Sequence, residues 1–199
     1  MFHETPKPIL EQMAALEEQD AKDRIDGTPM HKRLRQIPAE TGQLLALLAA
    51  SAPSGLCIEL GTSAGYSGLW LSLAMAQRGG KLVTFELLPE KAEMARKTFK
   101  KAKVEELIEL VNGDARGHVS QYDEIAFCFM DTEKEMYPDL YDLVVPRLLP
   151  GGLLLADNLT SHAEALAEFR EKVRADSRVD SVLIPIGSGV LLCRKRRSN

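Results

Sequence analysis

Disulfide and zinc frameworks are the first things missing. The chain has three cysteines in 199 residues, and Cys57, Cys128 and Cys193 form no CxxC pair and have no histidine at ligand spacing. Each sits inside an apolar run and reads as a small, reduced, buried hydrophobe. No apolar run approaches the roughly 20 residues that a membrane span needs, and residues 1–7 lack the apolar segment of a signal peptide. A cytoplasmic protein without membrane contact is therefore expected. Positive charge is not in excess either: 25 basic against 29 acidic residues leave a net charge of −4, which excludes a polycation that coats nucleic acid without specificity. Aromatic residues make up only 6%, with one tryptophan, so Tyr66, Tyr137 and a few others are all that could stack a flipped base. There is no internal repeat and no low-complexity tract. What remains, 45% hydrophobic and 27% charged residues, is an ordinary globular chain of a length that one core can serve.

Residues 8–20 begin with Pro8 near a first helical position and repeat apolar residues at 9, 10, 13 and 16, which predicts an amphipathic helix ended by Asp26-Gly27-Thr28-Pro29. A second helix is expected over 38–50, before the breakers Ser51-Ala52-Pro53-Ser54-Gly55. Short apolar runs at 56–60, 81–87, 107–111, 125–130 and 153–157 then alternate with helix-like segments at 66–77, 89–102, 136–147 and 161–175. Runs apolar on both faces belong to central strands of a parallel sheet with helical crossovers. The last two runs, 179–186 and 189–195, leave no room for a crossover and must form an antiparallel hairpin. The expected fold is α/β: a doubly wound, mostly parallel seven-stranded sheet with a C-terminal antiparallel hairpin. Residues 1–36 would form a helical extension and 37–199 the domain. Trp70, Leu71, Leu73 and Met75 read as core, and His3, His31, His118 and His162 are scattered and receive no role.

Ligands of such sheets bind beyond the carboxyl ends of the strands, so chemistry is sought where each run stops. The first run ends in Glu59-Leu60-Gly61-Thr62-Ser63-Ala64-Gly65-Tyr66-Ser67, where Gly61 and Gly65 allow a tight turn and close approach of a ligand. Ser63 stands where a GxGxxG dinucleotide fingerprint needs glycine, and no lysine follows Gly65, which excludes a Walker A loop. The second run ends near Glu86, an acid placed to accept both ribose hydroxyls of an adenosine or to begin the next helix at the favourable end of its dipole. The third ends in Asn112-Gly113-Asp114-Ala115, where Asp114 is also a good N-cap. The fourth reaches Asp131 and the fifth Asp157-Asn158. Neighbouring strands about 4.8 Å apart would bring these three oxygen-bearing side chains to one point, a site for a hard cation such as Mg²⁺. Taken singly, each acid also reads as a turn or cap residue.

The strand acid followed by a Gly-x-x-x-Gly turn resembles the first motif of class I S-adenosylmethionine (SAM) methyltransferases. The segment Phe129-Met130-Asp131-Thr132-Glu133-Lys134-Glu135-Met136-Tyr137, with Leu148-Leu149-Pro150-Gly151-Gly152-Leu153-Leu154-Leu155-Ala156-Asp157-Asn158, resembles the cation-dependent O-methyltransferases, a family that includes catechol and caffeoyl-CoA O-methyltransferases and bacterial relatives. The likeness runs from Ile37 through Arg194 and takes in Ala39-Glu40-Thr41-Gly42-Gln43-Leu44-Leu45 and Ile186-Gly187-Ser188-Gly189-Val190-Leu191-Leu192. It implies SAM bound along Glu59, Gly61, Thr62, Ser63, Gly65 and Ser67, with Glu86 on the ribose, Asp114-Ala115 at the adenine and Ile37 against the methionine end. It also implies Asp131, Asp157 and Asn158 as ligands of Mg²⁺ (or Mn²⁺ or Ca²⁺), Asp131 beside the cofactor as well, Lys134 as the general base, and a homodimer.

Two departures bear on the acceptor. Only Leu159-Thr160-Ser161-His162 separate Asn158 from the next expected helix, so the acceptor site should be open. Gly187-Ser188-Gly189 also lack the late acid of the catechol enzymes, which argues against catechol itself. The expected function is methyl transfer to a hydroxyl of a small, phenolic acceptor. A tRNA bearing a hydroxylated uridine is the alternative, with Lys32, Arg33, Arg35, the run Lys97, Lys100, Lys101, Lys103 and the tail Arg194-Lys195-Arg196-Arg197 available for phosphates. A nicotinamide oxidoreductase is disfavoured by Ser63 and the terminal hairpin, and a non-catalytic module by the oxygen triad with Lys134.

Overall fold

The computed structural model describes residues 4–197; His3 lies outside them. In chain order the elements are α1 (Lys7–Asp23), α2 (Ala39–Ser51), β1 (Leu56–Leu60), α3 (Tyr66–Arg78), β2 (Leu82–Glu86), α4 (Pro89–Ala102) and β3 (Ile108–Asn112). They continue with β4 (Ile125–Met130), α5 (Tyr137–Val144), β5 (Leu148–Ala156), α6 (Ala167–Ala175), β6 (Val179–Ile184) and β7 (Val190–Lys195). The strands lie in the order β3-β2-β1-β4-β5-β7-β6. Pairings among the first five are parallel, and β7 runs antiparallel to both β5 and β6. The chain works outward from β1 to β3 and then returns to β4 beside β1, so the direction of winding switches between β1 and β4 and a crevice opens above their carboxyl ends.

Burial on both faces explains the apolar runs. Phe127, Phe129 and Leu155 face a cluster with Ile9, Met13, Leu45, Leu69, Trp70 and Phe99 from α1 to α4. Cys128, Met130, Leu60 and Phe85 face Tyr137, Leu140, Tyr141 and Phe169 of α5 and α6. Ile9 and Met13 join the first cluster and α1 packs on α3 and α4, so α1 shares the core of the sheet. The three cysteines are buried and unpaired, and burial pushes the Cys57 thiol up to about 11 and that of Cys193 to about 12. Among the described residues no helix is long and apolar enough to cross a membrane.

Three boundaries differ from expectation. The fifth strand begins at Leu148 rather than 153, because a register shift on its pairing with β4 and the left-handed Gly151 (φ +84°) let the chain bulge and stay paired. Regular α-helix in the 136–147 segment stops at Val144, where Pro146 turns the following residues into a single 3-10 turn. The last helix starts at Ala167 rather than 161. The amide of Leu159 is taken by the Gly189 carbonyl and those of Thr160 and Ser161 by the Ser188 carbonyl, which fastens this segment to the β6–β7 turn.

Candidate active site

The register places Leu60, Met130 and Ala156 in one row across β1, β4 and β5. The next residues outward, Gly61, Asp131 and Asp157, therefore leave the sheet side by side, held by bonds from Asp131 N to Leu60 O (2.9 Å) and Asp157 N to Met130 O (3.0 Å). Gly61 has φ +100°, and a Cβ there would stand 2.1 Å from the Asp131 carbonyl oxygen. Gly61→Ala is expected to lower stability by about 2–4 kcal/mol, from the left-handed backbone and the clash together, and to lower turnover because the clash is with Asp131 itself. Thermal unfolding and initial rates measure the two effects.

Above this row lies a cavity of about 690 Å³, within the usual range for small-molecule sites. Of the residues singled out in the sequence, Ile37, Gly61, Thr62, Ser63, Ser67, Glu86, Asp114, Ala115, Asp131, Lys134, Asp157 and Asn158 line it. Two do not. Gly65 starts α3 at φ +93° and backs onto Phe99, whose ring a Cβ would meet at 2.7 Å. Glu59 is fully buried beneath the loop, where its carboxylate accepts from Thr84 Oγ1 at 2.6 Å. Burial raises its pKa to about 7, against the pull of the Ser67 and Thr84 hydroxyls.

Glu86 is 8% exposed. Its Oε2 accepts from Ser63 N (2.7 Å) and its Oε1 from Leu88 N (2.9 Å). Each oxygen keeps a second lone pair for a ligand hydroxyl. Asp114 caps the short turn after β3 through Arg116 N and also pairs with the Arg116 guanidinium, which holds its carboxyl below the usual range. Its capping and cavity-lining readings both hold geometrically.

The acids after β4 and β5 are unlike one another. Asp157 is 1% exposed, and burial and the neighbouring Asp131 charge raise its pKa. Its Oδ2 accepts from Asn158 Nδ2 at 3.3 Å, while Oδ1 is buried without a partner. Asn158 is held at φ +68°. Among the described residues no three His, Cys, Asp or Glu side chains gather into a metal-holding group. The donors here are instead two carboxylates and an amide. A buried, unpaired carboxylate oxygen beside a second acid and an amide suits a hard divalent cation. Lys134 Nζ donates to Asp131 Oδ1 (3.2 Å), Thr132 O (2.8 Å) and Tyr137 Oη (3.3 Å). The buried Tyr137 hydroxyl in turn lies 3.1 Å from the Asp157 carbonyl oxygen, tying Lys134 to both strand ends.

Sequence reasoning picked out Ile37 and left open whether the segment before it covers the cofactor. Residues 33–37 form a strap that lines the cavity. Ser63 Oγ donates to Leu34 O (2.8 Å), and the buried Lys91 donates to Arg33 O (2.6 Å). Arg35 reaches Glu133 Oε1 at 2.7 Å, which keeps the Glu133 carboxyl below its ordinary pKa. These partners are 29 to 98 residues apart in the chain, and no local motif signals them. Of the basic stretches, only Arg33 and Arg35 line the cavity. Lys100 and Lys101 close α4 as it runs back from this edge, and Arg194 pairs with Leu153 on the antiparallel β7. Both stretches therefore lie toward the opposite edge of the sheet.

A parallel sheet with one antiparallel strand inserted before its last member, a glycine turn after β1, and acids at or just past the ends of β2, β3 and β4 around one cavity match what the resemblance to SAM-dependent methyltransferases implies. The sequence pattern of the O-methyltransferase family matches residues 10–196, and the chain belongs to that family. It is 30% identical over 165 residues to a catechol O-methyltransferase of Niastella koreensis, covering 74% of each chain. It is 27% identical over 209 residues to a caffeoyl-CoA O-methyltransferase of Mesembryanthemum crystallinum, covering 90% of this chain and 80% of the relative. Among solved structures, an O-methyltransferase of Bacillus cereus in complex with SAH superposes with a TM-score of 0.79 at 22% identity, over 94% of this chain and 91% of the other. One from Streptomyces achromogenes involved in tomaymycin synthesis, in complex with SAM, gives 0.76 at 25% identity, over 92% and 90%. The expected fold class, family and enzyme class are thereby borne out.

Proposed function

We propose that this O-methyltransferase transfers the methyl group of SAM to a hydroxyl of a small phenolic acceptor, assisted by a divalent cation held by Asp131, Asp157 and Asn158. The observation that carries this reading is the buried, unpaired Asp157 oxygen at the same rim as Asp131 and Lys134. A bound divalent cation would supply Lewis acidity that lowers the pKa of an acceptor hydroxyl. Lys134 acts as the base once its ammonium has released a proton to solvent through its 14% exposed side chain, and it then accepts the hydroxyl proton. Transfer then forms the C–O bond and breaks the S–C bond of the sulfonium. The strap and the loop after β1 contribute mainly by holding the reactants in line and excluding water.

The test is transfer of labelled methyl from SAM to a vicinal-diol phenol and, separately, to bulk tRNA lacking its own modification, each with and without chelator. Labelling of the phenol that chelator abolishes is the expected result. Labelling that chelator leaves intact overturns the cation, and labelling of tRNA alone overturns the small acceptor.

A further inference from the structure

The fully buried Glu59 has no place in the chemistry above, yet it is not isolated. In the sheet Glu59 is register partner to Thr84 of β2. Thr84 Oγ1 lies 2.6 Å from Glu59 Oε2, and Thr62 Oγ1 lies 2.5 Å from Thr84 Oγ1. All three side chains are at most 1% exposed, so water does not compete for these bonds. Thr62 alone of the three lines the cofactor cavity. We propose that Glu59 is a positioning residue for the cofactor loop, acting through the hydroxyls of Thr84 and Thr62 and not by touching the cofactor.

The direction of the bonds follows from what each group can do. Thr84 Oγ1 donates to Glu59 Oε2, so the one proton of Thr84 is spent there. The proton in the short contact between the two threonines must then come from Thr62. With its own proton turned inward, the Thr62 hydroxyl fixes the χ1 of a β-branched side chain at the foot of the loop. The backbone beside it is pinned in the same sense. Gly61 N and Thr62 N both bond Phe85 O at 3.0 and 3.2 Å, and Ser63 N bonds Glu86. The loop thus hangs on β2 by two backbone bonds, one carboxylate and one hydroxyl relay, and the relay is anchored on an acid that α3 covers: a Cβ on Gly68 would come within 3.7 Å of Glu59 Oε2. The inference concerns SAM binding and does not depend on the cation or on the nature of the acceptor.

Calorimetric Kd values for SAM, with kcat at saturating SAM, test it. Thr84→Val removes the relay and leaves both neighbours in place. It is expected to raise Kd about tenfold, the loss of roughly one buried hydrogen bond to a charged group, while kcat changes less than about twofold. Thr84→Ser restores the hydroxyl and should return Kd to within about threefold of the parent, by the same hydrogen-bond arithmetic. Glu59→Gln keeps an acceptor for Thr84 and should cost less than Glu59→Ala, and this pair decides the matter if Thr84→Val does not fold. An unchanged Kd in Thr84→Val overturns the proposal. So does a Glu59→Gln protein that binds as poorly as Glu59→Ala, since that outcome assigns Glu59 a direct charge interaction with the cofactor.

Discussion

Replacing Lys134 by methionine is expected to lower kcat by roughly 10²- to 10⁴-fold, the range of general base catalysis, with the Kd for SAM nearly unchanged. Methionine fills the space of the lysine stem but accepts no proton. SAM binding should change little, because Lys134 Nζ bonds Asp131, Thr132 O and Tyr137 and not the loop after β1 or Glu86. Lys134→Arg separates two roles. Arginine retains positive charge beside Asp131 but is never deprotonated in a protein. A base requires the arginine variant to be as slow as the methionine variant. Near-parental turnover with arginine would make Lys134 an electrostatic partner of Asp131 and remove it from proton transfer. Tyr137→Phe is an internal comparison, since it deletes one of the three groups that aim Nζ and should cost far less than loss of the amine.

The alternation of runs apolar on both faces with helical segments made the doubly wound sheet legible, because two-sided burial leaves a compositional trace in every central strand. The rim residues were legible for a related reason: an acid stands at or directly after the strand's last residue at the cavity edge, as Glu86, Asp131 and Asp157 do. Boundaries failed where backbone bonding outside the local pattern decided them. Pro150-Gly151-Gly152 reads as a breaker, yet a bulge keeps that stretch in β5. Residues 161–166 have helical composition, yet the segment leading into them is bonded to the Ser188-Gly189 turn. The fate of Glu59 could not be read either. Its motif position says only that it is near the loop, and whether it faces ligand or core depends on Thr84, 25 residues away. The strap is the extreme case, since Arg35 meets Glu133 across 98 residues with no shared motif.

Asp157→Asn should produce effects of opposite sign on stability and activity. In the metal-free parent the Asp157 carboxylate is buried beside Asp131, with one oxygen unpaired, and its pKa lies above the usual 3.8. The buried Glu59 likewise rises from 4.5 to about 7. For both groups the folded protein binds the proton more tightly than the unfolded chain, so between the unfolded and folded values the native state carries more protons and stability falls as pH rises. The metal-free parent should therefore lose stability steadily as pH climbs from about 4.5 to 7, the window that Glu59 spans. A neutral amide at 157 removes the burial of one charge, so at pH 8 the metal-free variant is expected to be more stable by ~1–3 kcal/mol, with a shallower pH slope than the parent. Turnover should move the other way, falling by about 10² or more as Lewis-acid assistance worth several kcal/mol is lost. The decisive readout is the thermal shift with Mg²⁺. The parent should gain up to about 4 kcal/mol when free cation exceeds its Kd roughly a thousandfold, and the gain should be larger at pH 8 than at pH 5, where cation and proton compete for the same oxygens. If Asp157→Asn shows the parental Mg²⁺ shift, the cation is held elsewhere. If it is less stable than the parent without metal, the unpaired Oδ1 is a structural acceptor and not an oxygen kept for a ligand.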